Sequence, residues 1–396
     1  MDQTEGDEEV SIRKRGKNSF EIDVYLGRDP VTGRRLRDTH AFTGTLKGAR
    51  AEERRLLRER DLGTYVSPST LTVGEYLDQW LRDYAKPNVA GNTYEGYERI
   101  VRLHVKPHLE HVPLSKLRPL HVQGLYGKLL AQTDESGAQV LSAHSVLHVH
   151  RALKQALKQA VRWQLLAVNP CDAVDPPRRE HKEMQAITED ETAKLLEGLS
   201  GTRYRFPVLV AVTCGLRRGE LLGLRWQDVD VDAGKISVRQ ALEQTKAGIR
   251  AKQPKTAKSR RQLSVPAFVV AELRQHRKEQ NERRLEQGNT WQDHDLVFPS
   301  PNGAPWSPSA FSRLFLHHAR RLGVSCRLHD LRHSHATHLL HQGVHPKIVS
   351  ERLGHSTVGF TLDTYTHAVQ GMDEDAAALI GAAIEAHLGK PAVKDA

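Results

Sequence analysis

The residues of this chain best equipped for chemistry are two spaced arginines, a lysine-rich loop, a run of histidines and one late tyrosine. Thr213-Cys214-Gly215-Leu216-Arg217-Arg218-Gly219-Glu220 reads as a turn that delivers Arg217 to the start of a short helix, with Glu220 one helical turn on. A guanidinium so placed can grip a phosphate through two parallel N–H bonds while the carboxylate fixes its direction. Taken alone, Arg-x-x-Glu is also an everyday surface ion pair. Further on, His329-Asp330-Leu331-Arg332-His333-Ser334-His335 puts His329 and Arg332 on one helix face. With His338, His341 and His345 the stretch invites a metal reading, since 329/333 and 341/345 are four apart. No Glu follows either leading His in the zinc-protease manner, and no thiolate or carboxylate clearly completes a ligand set, so neither a metal nor another cofactor is expected. Leu353-Gly354-His355 comes next, and Tyr365 follows ten residues later within Phe360-Thr361-Leu362-Asp363-Thr364-Tyr365-Thr366-His367.

Lys246 to Arg261 carries Lys246, Arg250, Lys252, Lys255, Lys258, Arg260 and Arg261 without an acid, and Gly248 and Pro254 keep it from being a helix. A basic loop between strands suits contacts that track DNA phosphates; a solvated hairpin tip is the bland alternative. The whole chain agrees in sign. It has 396 residues and a formal net charge of +10, with 38% hydrophobic and 27% charged residues, which suits a folded protein with a polyanionic partner. The three cysteines, Cys171, Cys214 and Cys326, are far apart, which fits a reducing compartment with no disulfide framework. No apolar run approaches the roughly 20 residues of a membrane span. Residues 1–10 are too acidic for a signal or transit peptide. A cytoplasmic, DNA-associated protein with no membrane partner is expected.

The elements that must position these side chains fall into three segments, a multidomain α+β arrangement. After an acidic tail over 1–9, expected to be disordered, residues 10–66 read as a small three-stranded sheet plus a helix. Phe20, Ile22, Val24 and Leu26 alternate with polar residues, Arg34 to Phe42 forms a second strand, and Lys47 to Asp61 a charged helix. Arg13, Lys14, Arg15, Lys17, Arg34, Arg35 and Arg37 crowd its strands and turns, a pattern that favours DNA contact over a merely solvated face. Residues 71–175 read as a helical domain. Thr72 and Glu75 form a capping box for one helix, Asn92 and Glu95 open a second, and Pro119–Leu130 and Ala143–Trp163 supply two more. Its tyrosines and tryptophans are most simply core. Asn169 to Arg179 breaks helix repeatedly, giving a linker centred on 176–183. From 184 to 388 the chain is mainly helical with a small sheet. Thr188 and Glu191 cap a helix through Leu199, a turn at 232–234 joins short strands, and a last amphipathic helix spans Asp373 to Leu388. A flexible tail over 389–396 is expected to follow.

Each motif is weak singly, but their order is specific. Arg217 in GLRRGELLGLRW, Lys255 in PKTAKSRR, the HDLRHSHAT block, LGH and TLDTYTH together resemble the catalytic domain of the tyrosine recombinase, or phage integrase, family. The resemblance extends more loosely to the helical segment as a core-binding domain, and to residues 10–66 as the arm-type DNA-binding domain of three-domain integrases. It implies Tyr365 as nucleophile, forming a 3′-phosphotyrosyl link. Arg217 and Arg332 would hold the scissile phosphate, Lys255 would protonate the leaving 5′-oxygen, His329 would serve as acid–base partner, and His355 would hydrogen-bond the phosphate. Glu220 and Asp330 would support them from behind, while Lys246, Arg250, Lys252, Lys258 and Arg260 would contact DNA. Lys252 and Lys258 lie close enough to Lys255 to compete for its role. Such chemistry needs no metal: prepositioned cations stabilise the five-coordinate phosphorus, and the lysine assists an alkoxide that leaves poorly unaided. No GxxxxGK[ST] phosphate loop is present, and the covalent link would conserve the bond energy for rejoining. The implied partners are double-stranded DNA at core and arm attachment sites, three further subunits in a tetramer, and a directionality factor or host DNA-bending protein. A DNA-relaxing enzyme of the type IB topoisomerase kind and a catalytically silent DNA-binding regulator are the rival readings.

Overall fold

The computed structural model describes residues 10–28, 32–62, 65, 70–178, 186–253, 260–365, 377–378 and 380–385. The expected tails at 1–9 and 389–396, the second half of the linker, and both Lys255 and Lys258 lie outside these residues. Two compact units divide between residues 181 and 182.

In the first unit, β1 (Val10–Gly16), β2 (Ser19–Arg28) and β3 (Arg35–Thr43) form an antiparallel sheet in that order, followed by α1 (Leu46–Asp61). The alternation of β2 buries Phe20, Ile22 and Val24 on one face, where Ala49 and Leu56 of α1 complete a small core. Thr45 starts α1 by accepting a hydrogen bond from the Gly48 amide. Arg13, Lys14, Arg15, Lys17, Arg34, Arg35 and Arg37 are all exposed. Some of these cations are paired: Arg15 with Glu21 across the hairpin, and Arg13 with Asp23 at 3.8 Å.

The helical part of the unit has a separate core. Its first helix, α2 (Val73–Gln79), is opened by the Thr72–Glu75 capping box and continues through a π-wound stretch, Trp80–Ala85, to Asn88. Tyr76, Leu77 and Trp80 are buried, and the Tyr76 hydroxyl donates to the Ala156 carbonyl at 2.6 Å. The next helix, α3 (Gly91–Ile100), does not start as expected. Ala90 is its N-cap with no side-chain bond, so Asn92 already lies inside the first turn and cannot cap it. The helices α4 (Pro119–Leu130) and α5 (Ala143–Arg162) fall where the sequence places them. The expected breaker stretch is corrected at its beginning. Pro170–Ala173 forms a short 3₁₀ turn whose Pro170 and Cys171 are buried, and Val174 joins the helical core.

The second unit opens with α6 (Glu189–Gly198), capped by Thr188 and Glu191. The apolar α7 (Arg205–Cys214) and the short α8 (Arg218–Leu222) follow. A three-stranded sheet has the order β4 (Val229–Asp230), β5 (Lys235–Val238), β8 (Arg261–Ser264), and β6 (Ala241–Thr245) pairs with β7 (Gly248–Lys252) as a hairpin. Then come α9 (Ala267–Gln287), α10 (Pro308–Arg321), α11 (Leu328–His341), α12 (Pro346–Leu353) and α13 (Val358–Thr364). One core runs through α6, α7, the sheet, α9, α10 and the start of α11. A smaller cluster of Ala336, Leu340, Val349 and Leu353 holds the Tyr365 ring. Half of the expected helix over 373–388 lies outside the described residues, and 377–378 and 380–385 are helical.

Candidate active site

Three chain turns build the site. Apolar α7 ends because Gly215 turns left-handed at φ 63°, and the chain re-enters helix two residues later with Arg217 as N-cap. Glu220 closes this turn: its carboxylate accepts from the Arg217 amide at 2.9 Å and from the Arg217 guanidinium at 2.8 Å. The second turn ends α12 at Gly354, φ 66°, and presents carbonyls. Arg217 donates to the Gly354 carbonyl at 2.9 Å, and Arg332 donates to those of Leu353 and Gly215, both at 2.6 Å. The third is the end of α13, which carries Thr361 and delivers Tyr365 at its C-cap.

Arg332 is buried and its guanidinium donates to backbone carbonyl oxygens, with no carboxylate hydrogen-bonded to it among the described residues. Burial, then the neighbouring Arg217, push its pKa down to about 9. Glu220 behaves oppositely. Burial alone would raise its pKa, but Arg261, bonded at 2.8 and 3.1 Å, and then Arg217 bring it down to about 2. Tyr365 is buried, and its pKa rises to about 12 because burial outweighs the pull of Arg332 and Arg217. Its hydroxyl lies 2.9 Å from His333 Nδ1, and its ring is parallel to that of His355 at 6.4 Å. His355 Nδ1 is 2.8 Å from the Thr361 hydroxyl, and burial followed by Arg332 and Arg217 holds its pKa near 4. His329 packs edge-on against His333 with ring centres 4.7 Å apart, and burial first, then Arg332, lower its pKa.

The structure therefore brings Arg217, Glu220, His329, Arg332, His355 and Tyr365 into one connected cluster. Asp330 turns elsewhere: it caps α11 and pairs with the exposed Arg327 at 2.9 Å, with no direct bond to the two arginines or the tyrosine. The basic hairpin is less bare than its sequence implies. Strand pairing sets Glu243 opposite Arg250, and its carboxylate takes both Arg250 and Lys252 at 3.1 Å. Arg260 donates to Gln253 at 2.8 Å, and Lys246 is exposed at the hairpin tip.

A model of the phage integrase family matches residues 185–371, and one of the phage integrase N-terminal SAM-like domain matches residues 72–130. A tyrosine recombinase described as XerC-like, from Caldanaerobacter subterraneus subsp. tengcongensis, is 30% identical over 376 residues, 90% of this chain and 94% of that protein. The chain belongs to the phage integrase family. The integrase is also 29% identical over 367 residues to the ICEBs1 integrase of Bacillus subtilis, covering 90% of this chain and 95% of that one. Among solved structures it shares its fold with the Tn1549 transposon integrase in complex with transposon right end DNA. That likeness has a TM-score of 0.65 and 21% identity, over 78% of this chain and 100% of the other. It also shares its fold with a lambda integrase dimer bound to a core site, at a TM-score of 0.54 and 18% identity over 92% and 96% of the two chains. A tyrosine-type DNA recombinase is thus the enzyme class of this integrase, a multidomain α+β protein. Among the described residues no helix is long and apolar enough to cross a membrane.

Sequence reasoning did not place three residues in the site, having read Arg261 only as part of the basic loop. Arg261 sits beneath Glu220 and also donates to the Arg352 carbonyl at 2.6 Å. Arg352 in turn donates to His335 Nε2 at 3.1 Å and to the Thr213 carbonyl at 3.1 Å, tying α12 to the end of α7. His333 touches the Tyr365 hydroxyl itself. The only sequence signal for His333 was the density of histidines, which equally suggested a metal.

Proposed function

We propose that the integrase cuts and rejoins DNA through Tyr365 at a defined attachment site, integrating and excising a prophage or other mobile element. The Tyr365 oxygen attacks the phosphorus, the bond to the 5′-oxygen breaks, and a 3′-phosphotyrosyl link with a free 5′-hydroxyl results. Arg217 and Arg332 hold the non-bridging oxygens, with His355 as a further donor. His329 is the acid–base partner, and Lys255 returns a proton to the leaving oxygen. The supporting observation is a buried Tyr365 whose hydroxyl feels the charges of both Arg332 and Arg217. One of them, Arg332, is anchored on backbone carbonyls, so its positive charge stays available to a phosphate as charge builds on it.

The likeness to DNA-bound integrases, one of them a lambda integrase tetramer bound to a Holliday junction, supports a tetramer acting on paired core sites. On this reading the basic residues of β1–β3 contact separate arm sites, a directionality factor or host bending protein assists, and the enzyme works in the cytoplasm. The test uses a nicked suicide substrate carrying the core site from DNA flanking the gene. Wild type should become covalently attached to the 3′ end, and Tyr365→Phe should bind but form no adduct. Binding without an adduct by wild type would favour a silent regulator. Supercoil relaxation without exchange between paired sites would favour the single-site enzyme.

A further inference from the structure

The partner of the nucleophile's hydroxyl in this structure is neither arginine nor His329. It is His333, whose Nδ1 lies 2.9 Å from the Tyr365 oxygen. We propose that His333 is the positioning residue of the nucleophile, accepting the Tyr365 hydrogen bond and holding the phenol docked within its own subunit. The proposal rests on the reading of Tyr365 as nucleophile.

The local geometry leaves His333 few other orientations. It is buried on α11, next to Arg332 in sequence, with the His329 ring edge-on at 4.7 Å and the Tyr365 ring at 5.7 Å. In the proposed arrangement the protonated phenol donates, Nδ1 accepts and the ring proton resides on Nε2. The neighbours His329, Asp330, Arg332 and Arg327 bear on its charge, and with burial as the leading cause its pKa falls to about 4. Tyr365 stands near 12. A gap of about eight pH units makes His333 an acceptor that orients the phenol rather than a base that strips it. A phenol fixed at one nitrogen avoids the entropic cost of searching for the phosphate.

Two substitutions separate acceptance from packing. Asn at 333 can place an amide oxygen near the position of Nδ1, whereas Leu fills space and accepts nothing. At saturating suicide substrate, His333→Leu should form adduct at least about tenfold more slowly than wild type, with unchanged DNA affinity. His333→Asn should stay within about threefold. Independently of DNA, 3-fluorotyrosine at position 365 should give a ¹⁹F resonance that moves in His333→Leu and stays near wild type in His333→Asn. Wild-type cleavage by His333→Leu, an Asn variant as slow as Leu while binding DNA normally, or an unmoved resonance in His333→Leu would overturn the proposal. Failure of wild type itself to form an adduct would instead strike the nucleophile assignment, while the fluorine measurement would still report on the hydrogen bond.

Discussion

Replacing Glu220 by Gln removes one charge from the base of the site and keeps the shape. In the wild type, that carboxylate is 6% exposed and takes bonds from Arg261, the Arg217 guanidinium and the Arg217 amide. Its pKa of about 2, against an ordinary 4.5, corresponds to about 3 kcal/mol of folding free energy at neutral pH, at about 1.4 kcal/mol per pH unit. Breaking a buried ion pair by removing one partner independently suggests about 3–5 kcal/mol. The sign follows from linkage. The folded pKa is depressed, so the stabilisation is fully present above pH 4.5, fades as pH falls, and is gone below about pH 2. Hydrogen exchange in urea, followed on peptides from residues 186–365, reads the catalytic unit without contributions from the other. Glu220→Gln should lower the opening free energy there by about 3 kcal/mol at pH 7, with the gap narrowing below pH 4.5. A loss under about 1 kcal/mol at pH 7, or a loss of the same size at pH 3, would refute the account of Glu220 as a carboxylate shared by two arginines.

Gly215→Ala should cost both stability and cleavage. The left-handed turn alone disfavours a side chain by about 1–2 kcal/mol. A Cβ there would also lie 2.6 Å from the His335 ring and 2.9 Å from Leu353, displacing the carbonyl that holds Arg332. Gly201→Ala, also left-handed at φ 71° but with open space around it, is the control and should lose only the conformational part in thermal denaturation. Equal effects of the two would remove the steric argument. Deleting residues 1–66 should abolish binding to arm-site DNA in gel shifts and spare core-site cleavage, since β1–β3 with α1 and the helical domain have separate cores. Unchanged arm binding would end the arm-domain assignment.

What the sequence made legible is what short-range spacing determines. A capping box is a contact between residues three apart, so Thr72–Glu75, Thr188–Glu191 and the pairing of Arg217 with Glu220 could all be read directly. The apolar alternation of β2 was readable for the same reason. Long-range pairing was not. Arg261 reaches Glu220 from 41 positions away, and Glu243 neutralises part of the basic hairpin only because strand register sets it opposite Arg250. Direction also escapes spacing: Asp330 is beside His329 in sequence, but it faces Arg327 at the mouth of its helix. Asn92 failed as a cap although its identity and spacing fit, because the helix begins two residues earlier than that cap requires, with Ala90 as its N-cap.

The anchoring pattern separates two tasks that one set of charges could not share. A carboxylate beside each arginine would hold it firmly but would also neutralise it before a phosphate arrived. Here Glu220 is divided between Arg217 and the inner Arg261, whereas Arg332 is steered by the Gly215 and Leu353 carbonyls. Carbonyl dipoles supply direction without a compensating charge, leaving Arg332 destabilised in its charged form, as its pKa near 9 records. On the proposed reading, an incoming phosphodiester would relieve that penalty, so part of this instability would become affinity for the charge that develops during strand cleavage. The same logic explains the turns at Gly215 and Gly354. They expose the carbonyls, and left-handed glycines let two helix ends approach closely enough for one guanidinium to bridge both.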